Sequence, residues 1–92
     1  MKITYDSAKN ARNIKKHGLS FDRVAEFDFE GATFLLDDRR DYGEDRRVAI
    51  GYLDGRLHFL CFVELDDGIR VVSFRRANLR EGRKHGKTLT LN

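Results

Sequence analysis

Apolar and polar positions follow two rhythms along this chain, helical in the first third and alternating from Arg46 onward. Ile3 to Tyr5 reads as a short first strand. Asp6 then reads as the N-cap of a helix from Ser7 to His17, and Gly18 as its left-handed C′ residue. Ala8, Ala11 and Ile14 step along that helix at three-residue intervals and are expected to face the core, with Lys9, Asn13 and His17 as a polar stripe beside them. Leu19-Ser20-Phe21 predicts a second helix start, with Ser20 as N-cap and Leu19 stapled onto Val24, and the two helices are expected to form a tight pair. Thr33 to Leu36 is β-prone. The acidic, Arg-dotted stretch from Asp37 to Asp45 reads as a loop.

In the second half Val48, Ile50 and Tyr52 alternate, Asp54-Gly55 signals a two-residue hairpin, and Leu57 to Leu65 returns. Asp66-Asp67-Gly68 makes another turn, followed by a strand from Ile69 to Arg76. Asn78 and Glu81 have capping-box spacing for a short helix through Lys84, which Gly82 weakens by about 1 kcal/mol, so that helix is expected to need docking or a partner. The fold expected is α+β: an antiparallel meander with two N-terminal helices and a short C-terminal helix, the helices on one face.

Length and composition narrow the classes available. A chain of 92 residues has room for one domain, so residues 1–92 are expected to act as a unit with no separate catalytic domain. The apolar runs are too short to cross a bilayer, and the start Met1-Lys2-Ile3 lacks the layout of a signal peptide, so a cytoplasmic protein is expected. The single cysteine, Cys61, lies in an apolar β-type run and reads as a small buried hydrophobe. It can form neither an intrachain disulfide nor a thiolate zinc site.

The formal charge of +3 hides a strong asymmetry. Residues 1–21 carry Lys2, Lys9, Arg12, Lys15 and Lys16 against Asp6 alone; residues 69–92 carry Arg70, Arg75, Arg76, Arg80, Arg83, Lys84 and Lys87 against Glu81 alone. Between them, six Arg face thirteen Asp and Glu. If the two basic ends meet in space they form a positive face suited to a polyanion.

Four pieces in order resemble the BrnT toxins: Tyr5-Asp6 with Lys9 and Asn13; Lys16-His17-Gly18-Leu19-Ser20-Phe21; Gly43-Glu44 with Arg46; and Arg70-Val71-Val72-Ser73-Phe74-Arg75-Arg76-Ala77 with Glu81. Two departures stand out, Tyr5 where the family usually has Trp and His85 where it often has Tyr. The resemblance implies a RelE-like ribonuclease fold, cleavage of RNA and arrest of translation in a bacterial cytoplasm. It also implies neutralisation by a cognate BrnA-like antitoxin with a ribbon-helix-helix DNA-binding domain, through which the pair reaches operator DNA.

Cutting RNA without metal needs a base for a 2′-hydroxyl, cations for the charge on phosphate and a proton for the leaving oxygen. No His, Cys, Asp or Glu set has zinc-like spacing and no phosphate-binding glycine loop is present, so the expectation is a site without metal or cofactor. Arg75 and Arg76, with Arg80 one helical turn on, are the candidates for phosphate. Strand alternation sends the first two to opposite faces, so one of them is expected to point into a cleft. His17 is the leading acid or base; the helix dipole is expected to raise its pKa, and helix capping is its competing role. Glu44 and Glu81 are candidate bases, with an ion pair and a helix cap as their respective alternatives. Lys9, Asn13, Arg46, Ser73, Arg83 and Lys84 complete the set as substrate contacts. His58 reads as structural and His85 as a substitute for the family Tyr. Tyr42 and Phe74 are possible stacking platforms for bases, Phe74 with the core as its alternative. The competing functions are a nucleic-acid binder that does not cut and a protein-interaction module with a basic face.

Overall fold

The structure is a computed structural model and describes residues 1–37 and 43–91. Five strands form one sheet in the order β1-β5-β4-β3-β2, with β1 Lys2–Tyr5, β2 Thr33–Asp37, β3 Arg46–Leu53, β4 Arg56–Leu65 and β5 Gly68–Arg76. Helix α1 spans Ser7–His17 and helix α2 Leu79–Lys84. The β2 to β5 succession is the expected antiparallel meander, but β1 lies parallel to β5, so the sheet is mixed. The parallel neighbour became possible because α1 and three strands intervene, giving the chain length to cross back to the starting edge. Tyr42 and most of the Asp37–Asp45 stretch fall outside the described residues.

The turns follow local chemistry. Asp54 and Gly55 both have positive φ, 52° and 73°, as the two-residue hairpin turn requires. Asp6 accepts from the Ala8 N–H at the start of α1, and Gly18 closes the helix in the left-handed region. Where a second α-helix is expected, Phe21–Glu26 forms a 3-10 helix, capped by Ser20 through the Asp22 N–H. It buries Phe21 and Val24 completely against the sheet, so burial of two large side chains within one turn dictates its tight form. It and α1 both pack on β5 rather than pairing mainly with each other.

Helix α1 also presents the opposite face from the one its apolar spacing suggests. Ala8 and Ala11 are exposed and Ile14 is 44% exposed, whereas Asn13 is buried with Lys9, Asn10 and His17 half-buried beside it. The reason lies in the edge of β5. Strand β1 pairs only with Gly68–Val71, leaving the following backbone of β5 without a strand partner on that edge. Asn13 supplies one: its carboxamide donates to the Phe74 carbonyl at 2.7 Å and accepts from the Phe74 N–H at 3.2 Å. Nδ2 also donates to the Leu19 carbonyl at 2.9 Å, and Asn10 accepts from the Phe21 N–H at 2.8 Å. Satisfying buried backbone groups outweighs the small gain from burying two alanines.

The sheet carries a core on each face. Phe21, Val24, Phe27, Ala49, Leu53, Leu60, Phe62, Ile69, Val71 and Phe74 fill the first, under the 3-10 helix. Val48, Ile50, Leu57 and Ala77, with Leu89 packed on them, form a smaller second core. Helix α2 and the chain after it cover that second face, so the helices do not share one face as expected. Gly82 explains the docking: a Cβ there would lie 2.7 Å from the Lys87 carbonyl oxygen and 3.4 Å from Leu57 Cδ2. The same glycine that weakens the isolated helix lets its backbone approach the tail. Leu89 then accepts from the Leu57 N–H at 2.8 Å.

Candidate active site

The C-terminal turn of α1 ends at the edge of the sheet, where it borders two depressions. One, the inner cleft of about 500 Å³, is lined by His17, Gly18, Leu19, Arg23, Leu53, Asp54, Arg56, His58 and Arg76. The other, the basic groove of about 580 Å³, is lined by Lys9, Arg12, Asn13, Lys16, His17, Arg46, Val72 and Ser73. His17 belongs to both. Among the described residues no carboxylate lines the basic groove and none pairs with Lys9, Arg12 or Lys16. In the inner cleft Asp54 binds Arg23, which Glu26 also holds from outside the lining, and Arg76 is an exposed guanidinium with no carboxylate partner among the described residues.

Arg75, the next residue back, meets a different fate. Its guanidinium lies 4.4 Å from the centre of the Phe59 ring and forms a two-pronged pair with Glu81, at 2.9 and 2.7 Å. The expected division of the two arginines between faces is therefore observed. A β-bulge decides which goes where: the β4–β5 register slips between Cys61 and Phe62, so His58 faces Arg76.

Titration follows from these positions. Partial burial of His17, then the charges of Lys16 and Arg75, lower its pKa below the usual imidazole value. This is opposite in direction to the rise expected from the helix dipole: burial and the two neighbouring cations act against it. His58, 4% exposed, is also lowered, chiefly by burial and then by Arg56 and Arg76 against the Arg56 carbonyl and Asp54. Hydrogen bonds from Arg75 hold the Glu81 carboxyl below its ordinary range.

Half of the sequence-derived set gathers around α1. Lys9, Asn13, Arg46, Ser73 and His17 share the basic groove, and Arg76 joins His17 in the inner cleft. Others lie apart. Glu81 completes the capping box with Asn78 and lines a third hollow on the second face with Lys84 and His85. Glu44 binds Arg70 at 2.6 Å and Arg46 at 3.4 Å, the ion-pair alternative. Both carboxylates are thus engaged by arginine, and neither lines a cleft beside His17. Arg80 and Arg83 are exposed on α2 and line neither cleft beside His17. Phe74 is fully buried in the core. Sequence reasoning counted Arg12 and Lys16 only in the basic N-terminal end, passed over Arg56 and took His58 as structural; the hairpin at Asp54-Gly55 fixes the face of His58, but the bulge that brings Arg76 to it has no marker in the chain. Among the described residues no group of three or more His, Cys, Asp or Glu gathers at metal-binding distance, and no helix is long and apolar enough to cross a membrane.

Fold and site together define a small α+β protein with an electropositive edge where an imidazole stands between two clefts. The sequence matches the family model described as the ribonuclease toxin BrnT of type II toxin-antitoxin systems over residues 5–81. The crystal structure of the Brucella abortus ribonuclease toxin BrnT superposes with a TM-score of 0.68 at 30% sequence identity, covering 85% of this chain and 97% of that one. The comparison with curated proteins gives no match. This chain belongs to the BrnT family of ribonuclease toxins.

Proposed function

We propose that this protein cleaves RNA by metal-independent acid-base chemistry, with the scissile phosphate in the inner cleft between His17 and Arg76. The observation that carries the reading is that one imidazole, His17, borders both the inner cleft and the basic groove. Lys9, Arg12, Lys16 and Arg46 then hold a neighbouring phosphate of the same strand, with Ser73 and Asn13 forming the floor of the groove. Arg76 offsets charge building on the phosphate oxygens, the role in which a fixed guanidinium is most effective. His17 gives its proton to the leaving 5′-oxygen: an unbound site favours the neutral ring, and an arriving phosphodiester favours the charged one. Arg75 acts on His17 through space, and Arg80, Arg83 and Lys84 add to the field that draws RNA in.

Family membership supports the wider setting: a RelE-like toxin in the cytoplasm that stops growth by inhibiting translation. Its partner in this reading is a BrnA-like ribbon-helix-helix antitoxin, through which it reaches operator DNA. The purified chain, given a defined RNA in excess chelator, is expected to leave fragments ending in 2′,3′-cyclic phosphate. Salt-sensitive binding with the RNA left intact would instead identify a binder that does not cut. Expression in a bacterium should arrest growth, and the doubly substituted Arg76→Ala, His17→Ala chain should not.

A further inference from the structure

With Glu44 and Glu81 both engaged by arginine, the proposed reaction lacks a base. We infer that His58 fills that role, its Nε2 taking the proton of the attacking 2′-hydroxyl while His17 serves the leaving oxygen across the same cleft. This inference rests on the ribonuclease reading above.

Three geometric observations carry it. His58 lines the inner cleft together with His17 and Arg76, and the strand register sets it opposite Arg76. Its Nδ1 lies 2.7 Å from the Arg56 carbonyl oxygen. A carbonyl only accepts, so Nδ1 carries the hydrogen and the neutral ring keeps its lone pair on Nε2. The ring is held against Phe74, with centroids 5.3 Å apart, which fixes its plane. Leu or Phe would fill that space without burying a polar atom, so packing alone gives no reason for an imidazole.

The surroundings favour a neutral ring. Arg56 and Asp54 face it from the β3–β4 hairpin, Arg76 from β5, His17 from α1, and Arg23 from the 3-10 helix, where it is already bound to Asp54. Burial, with the charges of Arg56 and Arg76, disfavours a further positive charge on the ring against the opposing Arg56 carbonyl and Asp54, and the Arg56 carbonyl keeps the lone pair of the neutral ring on Nε2.

The step balances without a co-reactant. Nε2 of His58 accepts the 2′-hydroxyl proton, the 2′-oxygen forms a bond to phosphorus, and the bond from phosphorus to the 5′-oxygen breaks. The departing electron pair stays on the 5′-oxygen, which takes a proton from the His17 imidazolium. The products are a 2′,3′-cyclic phosphate and a 5′-hydroxyl. His58 ends protonated and His17 neutral, and exchange with water restores both.

The test uses the full chain with His58→Asn and His17→Ala on two substrates: ordinary RNA, and the same RNA with sulfur in place of one bridging 5′-oxygen. Sulfur leaves without needing a proton. Asn keeps a donor for the Arg56 carbonyl but has no basic nitrogen. His58→Asn is expected to slow cleavage of both substrates by about 10²–10⁴-fold and to remove the acid limb of the rate profile. His17→Ala is expected to lose activity on ordinary RNA and recover it on the sulfur substrate. A His58→Asn rate near wild type, an intact acid limb, or rescue by sulfur would overturn the assignment. Should His58→Asn fail to fold, NMR of the imidazole nitrogens in the wild-type chain decides: hydrogen on Nδ1 supports the base, and hydrogen on Nε2 refutes it. Wild-type protein that leaves both substrates uncut removes the ribonuclease reading itself, whereas cyclic-phosphate products with an unaffected His58→Asn remove only His58.

Discussion

Arg75 and Arg76 are neighbours of one residue type at the end of one strand, yet they occupy opposite electrostatic worlds. On the second face Arg75 is stacked on Phe59 and paired with Glu81, so its donors are already taken. On the first face Arg76 lies in a cleft with two imidazoles and no carboxylate of its own among the described residues. A guanidinium already satisfied on two prongs holds a helix in place; one with open donors is able to grip a phosphate. Of the basic C-terminal end only Arg76 lines a cleft beside α1, so the two ends meet there through one cation, and the partners of each arginine decide which charge is available.

The contrast breaks most sharply in activity. Arg76→Ala should lower kcat/KM by roughly 10²–10³-fold with little change in melting temperature. Arg75→Ala should do the reverse, costing about 1–2 kcal/mol of stability while activity falls by less than about 10-fold. Equal activity losses from the two, measured with thermal melts alongside, would erase the distinction. Asn13→Leu comes next, at about 2–4 kcal/mol, because it strands the Phe74 N–H and carbonyl and the Leu19 carbonyl. Chemical denaturation measures it, and a cost below that of an ordinary surface substitution would mean that Asn13 is not the edge partner described.

Salt dependence sharpens the picture on the first face. Changing Lys9, Arg12 and Lys16 together to Ala should reduce the slope of log affinity against log salt for a single strand by about 2. An unchanged slope places the strand elsewhere. The smallest effect belongs to Glu81. Its carboxyl is held below the ordinary value of 4.5, so the native state binds fewer protons than the unfolded chain. The stabilisation is present in full above the unfolded pKa and is lost as pH falls through the lower folded one. Acid melts of wild type should therefore lose stability in that window, and Glu81→Gln should show a flatter loss.

What the sequence disclosed and what it concealed divide along a physical line. Local chemistry was legible: the Asp6 cap, Gly18, the Asp54-Gly55 turn and the Asn78–Glu81 box all stand where residue types put them. Long-range competition was not. Parallel pairing of β1 with β5 leaves no periodic trace in either strand, and the unpaired stretch of β5 turned the polar face of α1 inward against its apolar spacing. The bulge is the costliest omission. Counting back from the Asp66-Asp67 turn without a slip sets Arg75 opposite His58; the extra residue in β5 exchanges the two arginines and so determines which of them shares a cleft with His17. That is why the basic character of the site was readable while the placing of Arg76 beside His17 was not.

The central claim is that RNA engages the first face of the sheet edge, not the second. Titrating the labelled protein with a 2′-O-methyl oligoribonucleotide, which binds without being cut, tests this directly by NMR. Resonances of His17, His58, Arg76 and the Lys9–Lys16 side of α1 should move together. If Arg75, Glu81 and α2 move while the two imidazoles stay still, the account is wrong.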